Sequence, residues 1–389
     1  MASTLSTIPA ERTTRQEWRG TDVTVAQVQS RLSLLRAQAA REEALDQGNP
    51  HPRNSVMDLV VIASDQRSAE SAGETIEALA AHHPCRAIIV LDVPGGDTTI
   101  DATVTSLSHQ LMECENCLYE QVFLRAQGAA AEHIPSLVEA LLISDVTTYL
   151  WWTGSPPFKE SRFTGALTIA DVLILDTRLL ERPHEGFLEL ADIGRRHPGV
   201  SVGDLQWARL RPWREILAQF FNPWNRRAFL RGLASVEIDY VTQGPGNRSA
   251  AVLLAGWLSA SLDWRLKEAA AKTGGAVIAH LEAPGGHAVE VAIRPVARTG
   301  FAAGDILAVR LKAVRGVETC SMSAQRDVEH RDQVTTEGTV AGVALPPRSL
   351  AMPSLDDMSL IHQLLIGARG DKVYRHSLEA AAGLKAALR

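Results

Sequence analysis

Residues 141–158 read LLISDVTTYLWWTGSPPF and join the end of a predicted helix to a short β-rich segment. The helix ends near Asp145, and a strand is predicted over Val146–Trp152 before a glycine and two prolines end it. Because side chains alternate across a strand, we expect Trp151 and Trp152 to lie on opposite faces of a sheet. Both faces therefore need cover there, from helices of this chain or from another protein.

Apolar strands alternate with helices on either side of this segment, which favours a mostly parallel sheet with helices on both faces. Strands of this sheet are predicted over residues 58–63, 86–91, 118–126, 146–152 and 172–175. After residue 274 the pattern changes to short strands between glycine-rich turns, which is typical of a smaller α+β domain with an antiparallel sheet. Its strands are predicted over residues 276–281, 288–295, 306–311, 317–322 and 339–345, with Pro346 and Pro347 ending the sheet.

The pattern predicts four segments along the chain. They are an N-terminal arm and helix (1–48), an α/β sheet domain (49–200), a tryptophan-rich helical connector (201–273) and an α+β C-terminal domain that ends in two helices (274–389). Within the first segment, residues 1–20 are polar and are expected to form the arm.

Composition excludes several classes of partner. The net charge is −6, with 39 basic and 45 acidic residues, whereas binding to nucleic acid or an anionic membrane needs a positive surface. The chain has no apolar run long enough to span a bilayer and starts without a signal-like segment. Four cysteines in 389 residues suit a reducing compartment. We therefore expect a cytoplasmic protein.

Catalytic motifs are not found in the sequence. The glycine-rich stretches lack the spacing of nucleotide-binding loops, and no nucleophile-elbow pattern occurs. We accordingly expect no catalytic residues, no cofactor and no metal. Cys114 and Cys117 form a CxxC, which is a candidate redox pair, although two free thiols are the default interpretation.

The sequence leaves undecided whether a ligand pocket lies at the carboxyl edge of the parallel sheet. Two arginines among the polar residues there could hold a phosphate, but helix caps and loop salt bridges explain the set equally well. These polar residues are Ser64, Asp65, Arg67, Asp92, Asp97, Thr153, Asp176 and Arg178.

Tryptophan and arginine recur close together, and both residue types dominate the energetics of protein interfaces. A core position is the favoured interpretation of any single tryptophan, because aromatic side chains bury large areas. The candidate partner-binding residues are Trp151, Trp152, Trp207, Arg209, Trp213 and Arg214.

Several of these motifs occur together in one known family. The chain carries HPCRAI at residues 83–88, the Trp-Trp run at 141–157, DLQWARL followed by PWR at 204–214, and LAGWL at 254–258. In this order they resemble the glucose-6-phosphate dehydrogenase assembly protein family, OpcA. The resemblance implies a non-catalytic protein that binds glucose-6-phosphate dehydrogenase and promotes its active oligomer, at the entry to the oxidative pentose phosphate pathway. The family offers no catalytic residues to transfer.

One alternative function stays open beside this resemblance. The chain would then be a sugar-phosphate-binding enzyme or sensor, for example a lactonase-like one, that uses the carboxyl edge of the parallel sheet. A sugar-phosphate ligand is thus an alternative partner to the dehydrogenase.

Overall fold

The computed structural model describes residues 13–47, 55–80, 82–111, 114–242, 247–367 and 370–384. By its internal contacts the chain divides into two units, residues 1–174 and 175–389. The four segments expected from the sequence are a finer division, which stays a prediction. Within the described residues, none of the helices combines the length and the apolar character needed to cross a bilayer.

The first sheet has eight strands in the spatial order β1-β4-β5-β3-β2-β6-β7-β8. Its pairs from β5 through β3, β2 and β6 to β7 are parallel, whereas β1, β4 and β5 pair antiparallel. All of β2 is buried, which requires cover on both faces and confirms the predicted mostly parallel sheet. The strands are β1 (Thr13–Gly20), β2 (Met57–Ala63), β3 (Cys85–Val93), β4 (Thr99–Leu111), β5 (Cys114–Gln127), β6 (Thr147–Trp152), β7 (Val172–Leu175) and β8 (Ser201–Asp204).

The antiparallel side of this sheet differs from expectation. Residues 13–20 are not a free arm, because they pair with β4 along the whole of β1, while residues 1–12 lie outside the described residues. β4 and β5 form one long hairpin, of which the sequence predicted only residues 118–126 as a strand. β4 is rich in threonine and serine, which suggests a loop, although Ile100, Ala102 and Val104 alternate with polar residues as in a half-buried strand.

Five α-helices lie among the described residues of the first unit. The longest, α1, begins with a capping box in which the Thr24 N–H donates to Gln27 Oε1 (2.8 Å) and the Gln27 N–H donates to Thr24 Oγ1 (3.3 Å). Val28, Leu32 and Leu35 of α1 are buried. The helices are α1 (Val25–Gln47), α2 (Gln66–Ala80), α3 (Ala129–Glu132), α4 (Ile134–Glu139) and α5 (Ser161–Leu167).

A second eight-stranded sheet lies in the second unit, in the order β10-β11-β12-β9-β13-β14-β15-β16. Its pairs are antiparallel except β12 with β9, which confirms the predicted antiparallel character. The strands are β9 (Leu233–Val241), β10 (Arg265–Ala271), β11 (Val277–Glu282), β12 (Ala288–Val296), β13 (Ile306–Arg315), β14 (Glu318–Arg326), β15 (Gln333–Val340) and β16 (Val343–Ala351).

The last hairpin corrects two expectations about this sheet. The predicted strand over residues 339–345 is the tip of the β15–β16 hairpin, where Ala341 and Gly342 have φ values of 49° and 82°. Pro346 and Pro347 lie inside β16 and do not end the sheet. β16 is an edge strand, which is where proline is tolerated, since proline has no N–H to donate.

In the part of the second unit that the structure describes there are seven α-helices. α10 is apolar on all sides and almost wholly buried, and it packs against α12. Gly256 permits that approach, because a Cβ at this position would lie 2.4 Å from the Ser377 carbonyl oxygen. The helices are α6 (Pro183–Arg196), α7 (Leu205–Arg209), α8 (Arg211–Phe220), α9 (Trp224–Arg227), α10 (Ser249–Ser261), α11 (Asp357–Gly367) and α12 (Lys372–Gly383).

Candidate functional site

Trp151 and Trp152 end β6 and are buried, each with 6% of its surface exposed. The ring of Trp152 packs edge-on against Phe163 of α5, with the ring centroids 5.1 Å apart and the planes at 77°. The cover that these two side chains need therefore comes from the chain itself. Their burial favours a packing role, and direct contact with a partner stays a prediction for both.

The segment that carries Trp207 and Trp213 begins at a buried aspartate. Asp204 caps α7, because one of its carboxylate oxygens accepts the Gln206 N–H at 2.9 Å. Pro212 then occupies the first turn of α8, where its missing N–H costs nothing. Trp207 and Trp213 are both buried, with 4% and 2% of their surfaces exposed.

Trp207 is held from three sides. Its indole N–H donates to Asp371 at 2.9 Å, and the guanidinium carbon of Arg214 lies 3.4 Å from the centroid of its ring. Tyr374 packs against it with the ring centroids 5.5 Å apart. Burial lowers the pKa of Arg214 to about 10, although Asp371 acts in the opposite direction. This cation–π stack is therefore an internal contact of the second unit.

Arg209 joins two elements of the second unit. It donates to Asp176 at 2.7 Å and to Asp357, the first residue of α11, at 3.3 Å. The pair with Asp176 is largely shielded from water, because the two side chains are 17% and 4% exposed, whereas Asp357 is 49% exposed. Arg209 thus fixes α11 to the end of α7.

Asp204 is the most deeply buried carboxylate of this cluster. Besides capping α7, it accepts hydrogen bonds from the N–H and hydroxyl of Thr177, at 3.0 and 2.9 Å, and from the Tyr374 hydroxyl at 3.3 Å. Burial raises the pKa of Asp204 to about 7, and the nearby negative charge of Asp176 raises it further. Burial also holds the pKa of Tyr374 well above its usual value.

These contacts gather three of the six proposed anchors, Trp207, Arg209 and Arg214, into one network. Its carboxylates are Asp176, Asp204, Asp357 and Asp371. Trp213 lies beside the network, whereas Trp151 and Trp152 belong to the other unit. In each case the geometry supports an internal structural role.

A cavity of about 320 Å³ opens beside this network, and we call it the arginine cavity. It lies at the end of the second sheet where the β12–β13 and β14–β15 connections meet the segment after β16. Four of its lining residues are arginines, and they come from four separate places in the chain. They are Arg178, Arg209, Arg326 and Arg331.

The sequence missed this site because no motif links its arginines. Only Arg178 stands among the polar residues expected at the carboxyl edge of the parallel sheet. Arg326 ends β14, and Arg331 lies in the turn before β15. Only the folded chain brings these two arginines to the same cavity as Arg209 of α7.

The other polar residues expected at that edge mostly have local roles. Asp65 caps α2 by accepting the Ser68 N–H at 2.9 Å, and Asp92 pairs with Arg162 at 2.5 Å. Burial raises the pKa of Asp92 even though Arg162 opposes the shift. Arg67 lies in α2 of the first unit, and Asp176 binds Arg209. Capping and ion pairing therefore account for these side chains.

Trp224 is one of the tryptophans that the sequence did not single out as anchors, and it is 88% exposed. Trp224 is the first residue of the four-residue helix α9, which also contains Arg226 and the exposed Arg227. The Arg226 guanidinium lies 4.9 Å from the centroid of the Phe220 ring. The local sequence gives little signal for this exposure, because Pro223-Trp224 resembles Pro212-Trp213, whose tryptophan is buried.

The cysteines divide into two kinds. Cys114 and Cys117 lie in β5, but their side chains are outside the described part of the chain, so the redox pair stays a prediction. Cys85 and Cys320 are buried free thiols, and burial raises the pKa of Cys85 to about 12. Among the described residues, no three His, Cys, Asp or Glu side chains are grouped so that they could hold a metal ion.

Comparison with known proteins gives matches along most of the chain. Residues 76–192 match the OpcA family model described as the glucose-6-phosphate dehydrogenase subunit N-terminal domain. Residues 200–378 match the model described as the C-terminal domain of the same subunit. The two matches follow each other in the order that the descriptions require.

Curated relatives carry a corresponding name. A protein of Synechocystis sp., provisionally named OxPP cycle protein OpcA, is 27% identical over 250 residues, which cover 63% of this chain and 52% of the relative. Its namesake in Nostoc punctiforme is 28% identical over 298 residues, which cover 75% of this chain and 60% of the relative. This chain thus spans between one half and two thirds of the length of these relatives.

Solved structures give only a distant likeness. An NAD-binding oxidoreductase from Klebsiella pneumoniae is 12% identical, with a TM-score of 0.49 over 86% of this chain and 96% of that one. A likeness of this degree bears on neither function nor site. The two domain models, in contrast, cover most of the sequence, and the curated relatives carry the same family name. The chain belongs to the OpcA family, which is associated with glucose-6-phosphate dehydrogenase and the oxidative pentose phosphate pathway.

Proposed function

We propose that this protein binds glucose-6-phosphate dehydrogenase and promotes its active oligomer without catalysing a reaction itself. The observation that carries the proposal is the pair of consecutive family matches, whose descriptions name a subunit of that dehydrogenase. A chain with the two domains of such a subunit is expected to act by contact with the enzyme.

The buried charges of the second unit support a structural role for the cluster around Asp204. Asp204 accepts four hydrogen bonds, and Arg209 pairs with two carboxylates. Polar groups that satisfy one another in this way rigidify a core and fix its arrangement. The cluster would hold α7, α11 and α12 in one geometry, so that the outer surface is presented to the dehydrogenase in a fixed form.

We place the contact with the dehydrogenase at the Trp224 surface, which comprises Trp224, Arg226 and Arg227 and the adjoining groove. Arg226 also lines this groove, together with Phe220, Leu345 and Arg348. Tryptophan and arginine are enriched among residues that dominate binding energy, especially when they adjoin apolar surface that can be desolvated. An exposed indole beside several guanidinium groups fits a partner surface that offers an apolar pocket and carboxylates.

The proposal is tested by mixing the purified chain with the dehydrogenase of the same organism. We expect the two to co-elute in size-exclusion chromatography with light-scattering detection, and the dehydrogenase to change in oligomer size or specific activity. The dehydrogenase mixed with serum albumin serves as the control. If the elution, mass and activity of the dehydrogenase are the same in both mixtures, the proposed function is wrong.

A further inference from the structure

The arginine cavity carries charge that its own lining does not neutralise. Four arginines and two aspartates line it. The buried Asp176 behind this lining pairs with Arg209 at 2.7 Å and with Arg178 at 3.6 Å, which leaves a formal charge of +1. Both lining aspartates are already engaged, since Asp357 binds Arg209 and Asp305 accepts the Ala302 N–H at 3.0 Å. Positive charge that converges on a concave site attracts an anion.

Arg326 gives a second observation that points to an anion. Its Nε is buried and has no hydrogen-bond partner within the described part of the chain. The rest of its guanidinium is held, because Nη1 donates to the Arg331 carbonyl oxygen at 2.8 Å and the group lies 6.0 Å from the centroid of the Phe301 ring. Burial lowers the pKa of Arg326. A buried donor without a partner costs free energy, and an anionic oxygen would remove that cost.

Arg331 is positioned by the glycine opposite it. Gly300 has a φ of 86°, and a Cβ at this position would lie 2.5 Å from Nη2 of Arg331. A residue with a side chain would therefore both strain the backbone and displace the guanidinium. Gly300 leaves room for the Arg331 guanidinium, and both residues line the cavity together with Phe301.

The size and the remaining lining of the cavity limit the ligand to a small molecule. Its volume of about 320 Å³ is at the lower end of the range of small-molecule sites. Trp213 and Met352 supply apolar walls, while Gln206 and Ser354 supply amide and hydroxyl groups. Phosphate monoesters carry close to two negative charges at neutral pH, and guanidinium groups bind their oxygens through paired hydrogen bonds.

We propose that the arginine cavity binds a small phosphate monoester with a polar body, whose phosphate oxygens accept hydrogen bonds from Arg326 and Arg331. The site lies within the second unit and uses none of the residues of the Trp224 surface. The proposal therefore stands or falls independently of the contact with the dehydrogenase.

Calorimetric titration of the full chain tests this site. The probes are inorganic phosphate, glucose 6-phosphate and, as the uncharged counterpart, glucose. We expect saturable binding of glucose 6-phosphate and none of glucose. Phosphate binding of equal strength would identify the free anion as the ligand and overturn the assignment to a monoester. If no probe binds saturably up to about 10 mM, any binding free energy is weaker than roughly −3 kcal/mol, and the proposed site is wrong.

Matched arginine variants show whether the binding occurs in this cavity. Arg331→Ala removes an exposed guanidinium and should weaken binding about tenfold or more, the value expected for a lost charge-assisted hydrogen bond. Arg326→Met should weaken it at least as much while keeping the apolar volume of the stem. Arg265→Ala is the control, since Arg265 lies on β10, an exposed edge strand of the same sheet. We expect the affinity to change by no more than about twofold, which is the effect of a distant surface charge. Equal affinity in Arg331→Ala and Arg265→Ala would place the ligand elsewhere and refute the proposal, even if Arg326→Met failed to fold.

Discussion

The guanidinium carbon of Arg214 lies 3.4 Å from the centroid of the Trp207 indole, and the same indole donates its N–H to Asp371. Arg214 also donates to the Trp207 carbonyl oxygen at 3.2 Å. Trp207 of α7 is thereby held by Arg214 of α8 and by Asp371, which precedes α12. The sequence proposes Trp207 and Arg214 separately as partner contacts. In the folded chain they contact each other, and contact with a partner stays a prediction for both.

Replacement of Trp207 by phenylalanine should destabilise the protein without weakening its binding. The change keeps an aromatic face for Arg214 but removes the hydrogen bond to the half-buried Asp371, at a cost of about 1 kcal/mol. We expect a melting midpoint lower by several degrees, measured by differential scanning calorimetry. The affinity for the dehydrogenase below that temperature should equal that of the unchanged protein. A loss of affinity at an unchanged melting midpoint would show that Trp207 is a contact residue after all.

Replacement of Trp224 by alanine should have the opposite effect. Its side chain is 88% exposed, so its removal should change the free energy of unfolding by no more than about 0.5 kcal/mol. If Trp224 is an anchor, the affinity for the dehydrogenase should fall by about 30-fold, equivalent to about 2 kcal/mol. Val317→Ala is the matched control, because Val317 is 100% exposed in the β13–β14 turn. Equal affinity of the two variants for the immobilised dehydrogenase would remove Trp224 from the interface.

Replacement of Glu120 by alanine should destabilise the first sheet strongly. Glu120 is buried between two cations, with Arg86 Nε at 3.2 Å and Arg36 of α1 also in contact. Its loss leaves the buried charge of Arg86 unpaired, for which we expect a cost of about 3–5 kcal/mol. Glu17→Ala is the matched control, since Glu17 of β1 forms only exposed pairs and should cost about 0–1 kcal/mol. Urea denaturation followed by tryptophan fluorescence measures both, and similar midpoints would contradict the expectation.

The raised pKa of Asp204 predicts a dependence of stability on pH. Because the native state holds the proton more tightly than the unfolded chain, the contribution of Asp204 is largest below its unfolded pKa of 3.8 and is lost as the pH rises through about 7. Between pH 5 and pH 8 the free energy of unfolding should therefore fall by an amount on the order of a few kcal/mol. Asp204→Asn should remove most of this fall, although it also lowers stability at pH 5 by disturbing four hydrogen bonds.

Melting midpoints at pH 5 and pH 8 measure this effect. Asp192→Asn, on the exposed side of α6, serves as the control and should keep the pH dependence of the unchanged protein. Asp58, whose pKa burial raises to about 6, contributes in the same direction and is present in all three proteins. An undiminished difference between the two pH values in Asp204→Asn would show that Asp204 is already ionised at pH 5.

Burial of Cys85 and Cys320 predicts that both thiols are inert in the folded protein. Burial raises the pKa of each thiol, and the thiolate is the reactive form. With Cys114 and Cys117 replaced by serine, the native chain should give no rapid reaction with Ellman's reagent. Two thiols should react after unfolding in guanidinium. Rapid reaction in the native state would mean that one of the buried sites opens.

The sequence predicted the centre of the first sheet correctly because strands covered on both faces are continuously apolar, as in β2 and β3. It missed β4, because the many threonine and serine residues suggest a loop even though Ile100, Ala102 and Val104 alternate with polar neighbours. The pairing of β4 with β1 and β5 is a tertiary contact. Proline likewise predicted the end of the second sheet at residues 346–347, but an edge strand accommodates it.

The resemblance to the OpcA family is confirmed, yet exposure of individual side chains could not be read from the sequence. Trp213 and Trp224 stand eleven positions apart in similar company, and one is buried whereas the other is 88% exposed. The bond between Asp204 and Tyr374 joins residues 170 positions apart. The arginine cavity depends on several such long-range approaches, none of which has a local pattern.

The two prolines of β16 have a consequence for how this protein can associate with others. An exposed edge strand normally offers a row of amide donors that an approaching chain can use to extend the sheet. Pro346 and Pro347 have no amide hydrogen, and because successive N–H groups point to opposite sides of a strand, at least one of the two interrupts that row. Strand addition at this border is thereby discouraged. A partner that approaches β16 would therefore bind through side chains rather than through main-chain pairing.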